Sequence, residues 1–243
     1  MNPRVLLATA RRVLTQLRHD PRTVVLMVVM PSVLLVLLRY VFDSARVFNQ
    51  IGPALLGFFP FLLMFLVTSI TMLRERVSGT LERLLTTPMG RLDLIGGYAA
   101  AFAAVAAVQV AVATTVSLAF GLTIAGSVGW LLLITLLNAL LGVALGLLAS
   151  AFARTEFQAL QFMPVIVLPQ LLLCGLLHPR AQMPAVLRWA SDVMPLSYAV
   201  RALEQVAGRP SIDIGYWRDA VIVLGCVIAG LGLAAVTLQR RTD

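Results

Sequence analysis

The residues able to do covalent or redox chemistry are few and scattered. His19 and His178 are expected near opposite faces of a membrane, and Cys174 and Cys226 each stand alone in an apolar run with no acid or histidine at ligand spacing. Such cysteines read as small buried hydrophobes rather than as a disulfide or a metal site. No G-x-x-x-x-G-K-S/T phosphate loop occurs, so the chain does not bind ATP in that way, and there is no HExxH and no Ser/His/Asp arrangement. A membrane protease or transferase would gather acids and histidines at one depth, and an ion-coupled carrier would hold a protonatable carboxylate within a span. Every Asp and Glu here reads as loop or span end, so no cofactor is expected in the chain and its energy must come from elsewhere. Polar groups concentrate instead in Arg74 to Pro88, the densest mixed-charge stretch of the sequence. A charge at the bilayer centre costs roughly 2.5 to 3.5 kcal/mol, so the segment 74–91 must be a water-side connection.

Leu81, Leu84 and Leu85 fall at the i, i+3, i+4 spacing of one helix face, with Glu82 and Arg83 off it. Ser78-Gly79-Thr80 supplies a break and an N-cap, and Pro88 a stop. The pattern fits a helix of about two turns at the membrane surface, its leucines dipping into headgroups or entering a partner's groove. It also fits an ordinary loop between spans.

The string resembles the signature of the ABC-2 type transporter permeases, the membrane subunits of ATP-driven exporters, in which E-R-x-x-G-T-L-E-x-L-L-x-T-P follows the second span. Glu75, Arg76, Gly79, Thr80, Leu81, Glu82, Leu84, Leu85, Thr87 and Pro88 match. The resemblance implies that this stretch is the coupling helix that docks on a nucleotide-binding ATPase subunit. In that picture Leu81, Leu84 and Leu85 fill the groove, and Glu75 and Glu82 fix orientation through basic partners. ATP and Mg²⁺ would be bound by that partner.

The elements that must position this segment are apolar helices. The chain has 243 residues, 60% of them hydrophobic, with a mean hydropathy of +0.93. That is far too apolar for a soluble domain of ordinary composition. Its net charge of +8 comes entirely from arginine. In a membrane protein such an excess belongs to cytoplasmic flanks and loops, so no nucleic-acid partner is expected. Arg11, Arg12 and Arg18 interrupt any apolar core a cleavable signal would need.

Residues 2–20 read as a basic amphipathic helix in the interface. Leu6, Leu7, Ala10, Val13, Leu14 and Leu17 cover one arc, and Arg4, Arg11, Arg12, Arg18 and His19 face anionic lipid headgroups. Spans are expected at about 23–42, 51–73, 94–122, 128–152, 157–177 and 221–238, the first entered through an Asp20 cap and Pro21. Residues 43–50 read as a short outer loop. Ala99, Ala103 and Ala107 give the third span a small-residue face, and Asn138, Gly142 and Gly146 repeat every four residues in the fourth. The fifth carries Gln158, Gln161, Gln170, Pro164 and Pro169. It reads either as a broken helix lining a pathway or as a span whose amides are satisfied by neighbouring helices.

Residues 178–218 form the outer segment. Pro184 opens one short helix through Val193 and Pro195 another ended by Gly208, each too short to cross about 30 Å of hydrocarbon. Met183-Pro184, Leu187, Trp189 and Met194-Pro195-Leu196-Ser197-Tyr198 resemble the run that forms extracellular re-entrant helices before the last span in ABC-2 permeases. Trp189, Tyr198, Tyr216 and Trp217 also fit interfacial anchoring.

The expected fold is therefore all-α and integral to the membrane, one domain over 1–243. It has six transmembrane helices, an N-terminal interfacial helix, a coupling helix after span 2 and outer re-entrant or interfacial helices before span 6. The basic flanks put both termini in the cytoplasm of a bacterial cell. The function implied is that of a permease subunit of an ABC exporter, paired with a second permease copy or paralogue and carrying an amphipathic small molecule of drug or antibiotic type. Export of a polysaccharide or lipid-linked glycan is an alternative substrate class. A non-transporting membrane anchor for a cytosolic partner is the alternative of another kind.

Overall fold

Apolar runs bounded by Asp, Ser and Thr caps dictate long helices, and the computed structural model is built of them. It describes residues 3–80 and 90–237. In order come α1 (Pro3–His19), α2 (Pro21–Val41), α3 (Ala45–Val77), α4 (Arg91–Ala119), α5 (Val128–Ser150), α6 (Glu156–Leu173), a 3₁₀ turn (Arg180–Gln182), α7 (Ala185–Val193), α8 (Pro195–Gly208) and α9 (Ile214–Thr237). Among the described residues, α2, α3, α4, α5, α6 and α9 are long and apolar enough to cross a membrane. The protein is a multi-pass membrane protein. Asp20 accepts from Thr23 N at 3.3 Å and Ser44, Ser127 and Thr155 cap α3, α5 and α6 in the same way, each satisfying a backbone N–H with no intrahelical partner.

Helices α3 and α5 form the centre. In each, 61% of the most apolar 18-residue stretch is buried, against 17% in α6 and 22% in α2. Their contact runs along the predicted small-residue stripe. A Cβ added at Gly142 would stand 2.2 Å from Phe61 O, and one at Gly146 would stand 2.5 Å from Phe65 O. Glycine there lets two backbones touch. Asn138 seals the seam by donating from Nδ2 to Gly57 O at 2.9 Å.

Helix α4 does pack inside the bundle, though not by the expected face. Ala107 is exposed and Ala99 and Ala103 only half-buried, whereas Tyr98, Ala101, Phe102, Ala106 and Gln109 are buried. Gln109 Nε2 donates to Met27 O of α2 at 2.7 Å. The packed face mixes Tyr98 and Phe102 with Gly97, Ala101 and Ala106, and it closes on α1, α2 and α5 together.

Several expected boundaries move. Residues 45–50 are the first turns of α3 and not loop, because Ser44 caps at Val47 N. The last span starts at Ile214 rather than 221, bringing Asp219 into a helix at 1% exposure. Helix α6 runs unbroken through Pro164 and Pro169 and ends at Leu173, so the broken-helix reading of the fifth span does not hold. Of the two cysteines Cys174 is buried and Cys226 only partly so.

Helices α7 and α8 begin and end where the prolines and Gly208 placed them. Leu196, Ala199, Val200, Leu203 and Val206 are all buried, packing α8 onto α9, α3 and α5. The end of α8 is latched to the turn before α5 by Ala125 N to Ala207 O and Gly126 N to Val206 O, both 3.0 Å. Tyr216, read as an interfacial anchor, is instead wholly buried and donates to Trp130 O at 2.8 Å, while Trp189 is 74% exposed.

Candidate functional site

At its far end α3 finishes in Arg74, Glu75 and Arg76. Consecutive helical residues point about 100° apart, so these three reach three different neighbours. Arg74 turns toward α6, with Nε donating to Glu156 Oε1 at 2.7 Å and a terminal nitrogen to Oε2 at 3.1 Å. That is the bidentate fork a guanidinium makes with a carboxylate. Both side chains are more than half exposed, so the pair orients more than it stabilises. Arg76 donates to Ser150 O and, at 3.4 Å, to Ala153 O. It covers carbonyls at the C-terminal end of α5 that have no intrahelical donor, where a cation also complements the helix dipole.

Glu75 turns inward and is 8% exposed. Its Oε1 accepts from Gln16 Nε2 at 3.3 Å and pairs with Arg12 at 3.5 Å. Arg12 also donates to Tyr98 Oη at 2.7 Å, its guanidinium 5.8 Å from the Tyr98 ring centroid. The cluster joins α1, α3 and α4. Helix α1 can come this close because Gly97 of α4 meets Thr9, where an added Cβ would lie 2.5 Å from Thr9 Cβ.

Two expectations change here. Arg12 is not on the headgroup face but folded under α1, and Glu75 has its basic partner within its own chain. Only part of the apolar arc of α1 is covered: Ala10, Val13 and Leu17 are buried and Leu7 stays 65% exposed. Sequence spacing could not find the cluster, because its members stand far apart along the chain and each reads locally as an interfacial residue.

Beyond α3, Ser78 N–H donates to Arg74 O at 2.9 Å and Gly79 adopts φ +72°, a left-handed C-terminal stop that glycine takes without strain. The break expected at Ser78-Gly79-Thr80 is there, with the Ser78 and Thr80 hydroxyls 3.0 Å apart. The chain resumes at Gly90, whose N–H donates to the buried Asp93 at 3.2 Å to start α4. Leu81, Glu82, Leu84, Leu85 and Pro88 lie outside the described residues.

The three glutamines of α6 are not brought together. Gln158 Oε1 accepts from Arg154 N at 2.8 Å near the helix start, Gln161 is exposed, and Gln170 is buried. Gln170 Oε1 accepts from Leu196 N at 3.3 Å, occupying the first-turn donor of α8. Gln170 therefore pins α8 to α6, and only Gln161 presents its amide on an uncovered face.

Comparison with known proteins places this arrangement. The family model described as "ABC-2 type transporter" matches residues 4–207. The chain is 28% identical over 191 residues to the probable multidrug ABC transporter permease YbhR of Escherichia coli (strain K12), covering 78% of this chain and 51% of that protein. It is 26% identical over 208 residues to the corresponding YbhS, covering 84% and 55%. It is 23% identical over 202 residues to ABC transporter G family member 20 of Dictyostelium discoideum, covering 82% of this chain and 28% of that one. The chain thus spans about half or less of the length of these relatives.

Proposed function

The chain belongs to the ABC-2 type transporter family, and from that premise we propose that it is the permease subunit of an ATP-binding-cassette exporter. Its cargo in this reading is an amphipathic small molecule of drug or antibiotic type. The observation that carries the proposal is the family match over 4–207, which includes the whole 75–88 string. That the two Escherichia coli relatives are probable multidrug permeases supports the choice of substrate class.

In this reading residues 1–243 act as one transmembrane domain in a bacterial inner membrane, with both termini cytoplasmic. A separate ATPase subunit binds ATP and Mg²⁺ and docks on the helix around Leu81, Glu82, Leu84 and Leu85. A second permease, identical or paralogous, completes the path, and the uncovered side of α6 with Phe157, Gln161, Val165 and Leu168 is available to face it or lipid. Displacement of the 78–87 segment by ATP-driven closure is delivered to the end of α3. Because Arg74, Glu75 and Arg76 tie that end to α6, α1 and α5, a push on one helix moves four together.

The experiment is a gentle-detergent pull-down of the tagged chain from its native membrane, with co-purifying proteins identified by mass spectrometry. A roughly stoichiometric soluble protein carrying a phosphate loop is expected. Recovery of the chain alone, or with a partner lacking that loop, after ATP and crosslinker, would favour the membrane-anchor alternative.

A further inference from the structure

Helix α2 contains Pro31, yet it runs unbroken from Pro21 to Val41. A proline inside a helix has no N–H to give, so the carbonyl four residues earlier, here that of Met27, loses its intrahelical donor. Within a bilayer water does not replace it. Met27 is buried, and its carbonyl accepts instead from Gln109 Nε2 of α4 at 2.7 Å. Pro53, Pro60, Pro164 and Pro169 free the carbonyls of Asn49, Leu56, Leu160 and Val165 in the same way. Among the described residues no side chain donates to any of those four.

Gln109 is itself wholly buried, and its Oε1 has no hydrogen-bond partner among the described residues. A buried amide with an unused acceptor is costly, so what Gln109 contributes at this place is its donor. A carbonyl only accepts, which fixes the way the amide is turned. Beyond Pro31 the helix is held loosely. Val33, Leu37, Tyr40 and Val41 are exposed, and Leu35 is the one apolar side chain of residues 32–41 that is buried. The connection to α3 then passes through Asp43 at φ +42°, a left-handed conformation uncommon outside glycine. Residues 32–42 thus lie between two backbone joints.

We infer that Pro31 and Gln109 form a clipped hinge: α2 bends at Pro31, and the amide lent by α4 holds the C-terminal half of α2 in its present position. A single neutral hydrogen bond is a modest restraint, so the clip opens without unfolding either helix. In the exporter reading this gives residues 32–42 a motion separate from that of α1, α3 and α4. The hinge belongs to this chain alone and is tested without ATP or a partner subunit.

The test uses the purified full chain in detergent, with Cys174→Ala and Cys226→Ala and with nitroxide labels on Val41→Cys and Ile214→Cys, both at exposed positions. Double electron–electron resonance then reads the distance from the end of α2 to the start of α9. With Gln109 in place a single narrow distribution is expected. Gln109→Met keeps the side-chain length but has no donor, and it should broaden the distribution or add a second distance. Pro31→Ala gives Met27 O an intrahelical N–H again, so adding it to Gln109→Met should restore the narrow distribution. Unlabelled proteins supply a second readout: Gln109→Met should lower Tm by about 4 °C more when residue 31 is proline than in the Pro31→Ala background. Equal widths with and without Gln109, a broadening that Pro31→Ala leaves in place, or equal Tm shifts in the two backgrounds would each overturn the hinge. If Gln109→Met alone does not fold, Pro31→Ala should rescue folding, and failure of that rescue counts against the hinge in the same way.

Discussion

Glu75 has two environments depending on how far one looks. In the sequence it begins the string that marks the family, beside two arginines at the edge of a span, while in the fold it is a buried carboxylate held by Gln16 and Arg12. Removing one member of a buried pair costs about 3 to 5 kcal/mol, and the 28% exposure of Arg12 discounts this to about 2 kcal/mol here. Glu75→Ala and Arg12→Ala should therefore each lower stability in detergent unfolding by about that amount. The double variant should cost clearly less than the sum, and strict additivity would show that the pair does not interact. Asp20 gives a pH prediction at the same scale. The Thr23 hydroxyl and N–H hold its carboxyl below the ordinary range. Its stabilisation of α2 is complete above the ordinary carboxylate pKa and is lost as pH falls through the depressed one. Asn at position 20 keeps the cap without the proton, so the acid limb of a Tm against pH curve should flatten in Asp20→Asn.

Helix-scale behaviour turns on the α3–α5 seam. Gly142 and Gly232 are both glycines in apolar spans, but only the first has a backbone where its Cβ would go, whereas nothing lies within 4 Å of the second. Gly142→Ala should destabilise by about 1 to 3 kcal/mol, the usual cost of overpacking a filled interior. Gly232→Ala should be neutral or slightly stabilising through helix propensity. Equal Tm shifts for the two would mean that α3 and α5 do not meet at the stripe. Helix α6 illustrates the reverse lesson: its two prolines suggested a break, yet the helix is continuous. Proline frees carbonyls without obliging the chain to leave the helix when the surroundings tolerate them.

For the whole molecule, the proposed point of coupling is the ion-paired end of α3 beside the family string. Coupling across it is tested by Glu82→Arg in vesicles with the ATPase present. Transport and stimulated ATP hydrolysis should be lost while membrane insertion is unchanged, because a reversed charge opposes docking without entering lipid. Normal transport by this variant would remove Glu82 from the docking assignment.

What this sequence determined by itself was much of what neighbours within a few residues set, though the Ser44 cap that starts α3 reads there as loop. Apolar length placed the membrane helices, Asp20, Pro21, Pro184, Pro195 and Gly208 placed helix ends, and the i, i+4 repeat of Asn138, Gly142 and Gly146 marked a contact stripe. The family string was legible as a string. Tertiary structure decided which partner each polar group took. Arg12, Glu75 and Tyr98 meet across three helices, Gln170 accepts from the first turn of α8, and Tyr216 is buried. The physical reason is range. Hydrophobic burial and capping act on adjacent residues and leave a periodic trace, whereas an ion pair or a packed seam depends on how whole helices are rotated against one another, which no local spacing encodes.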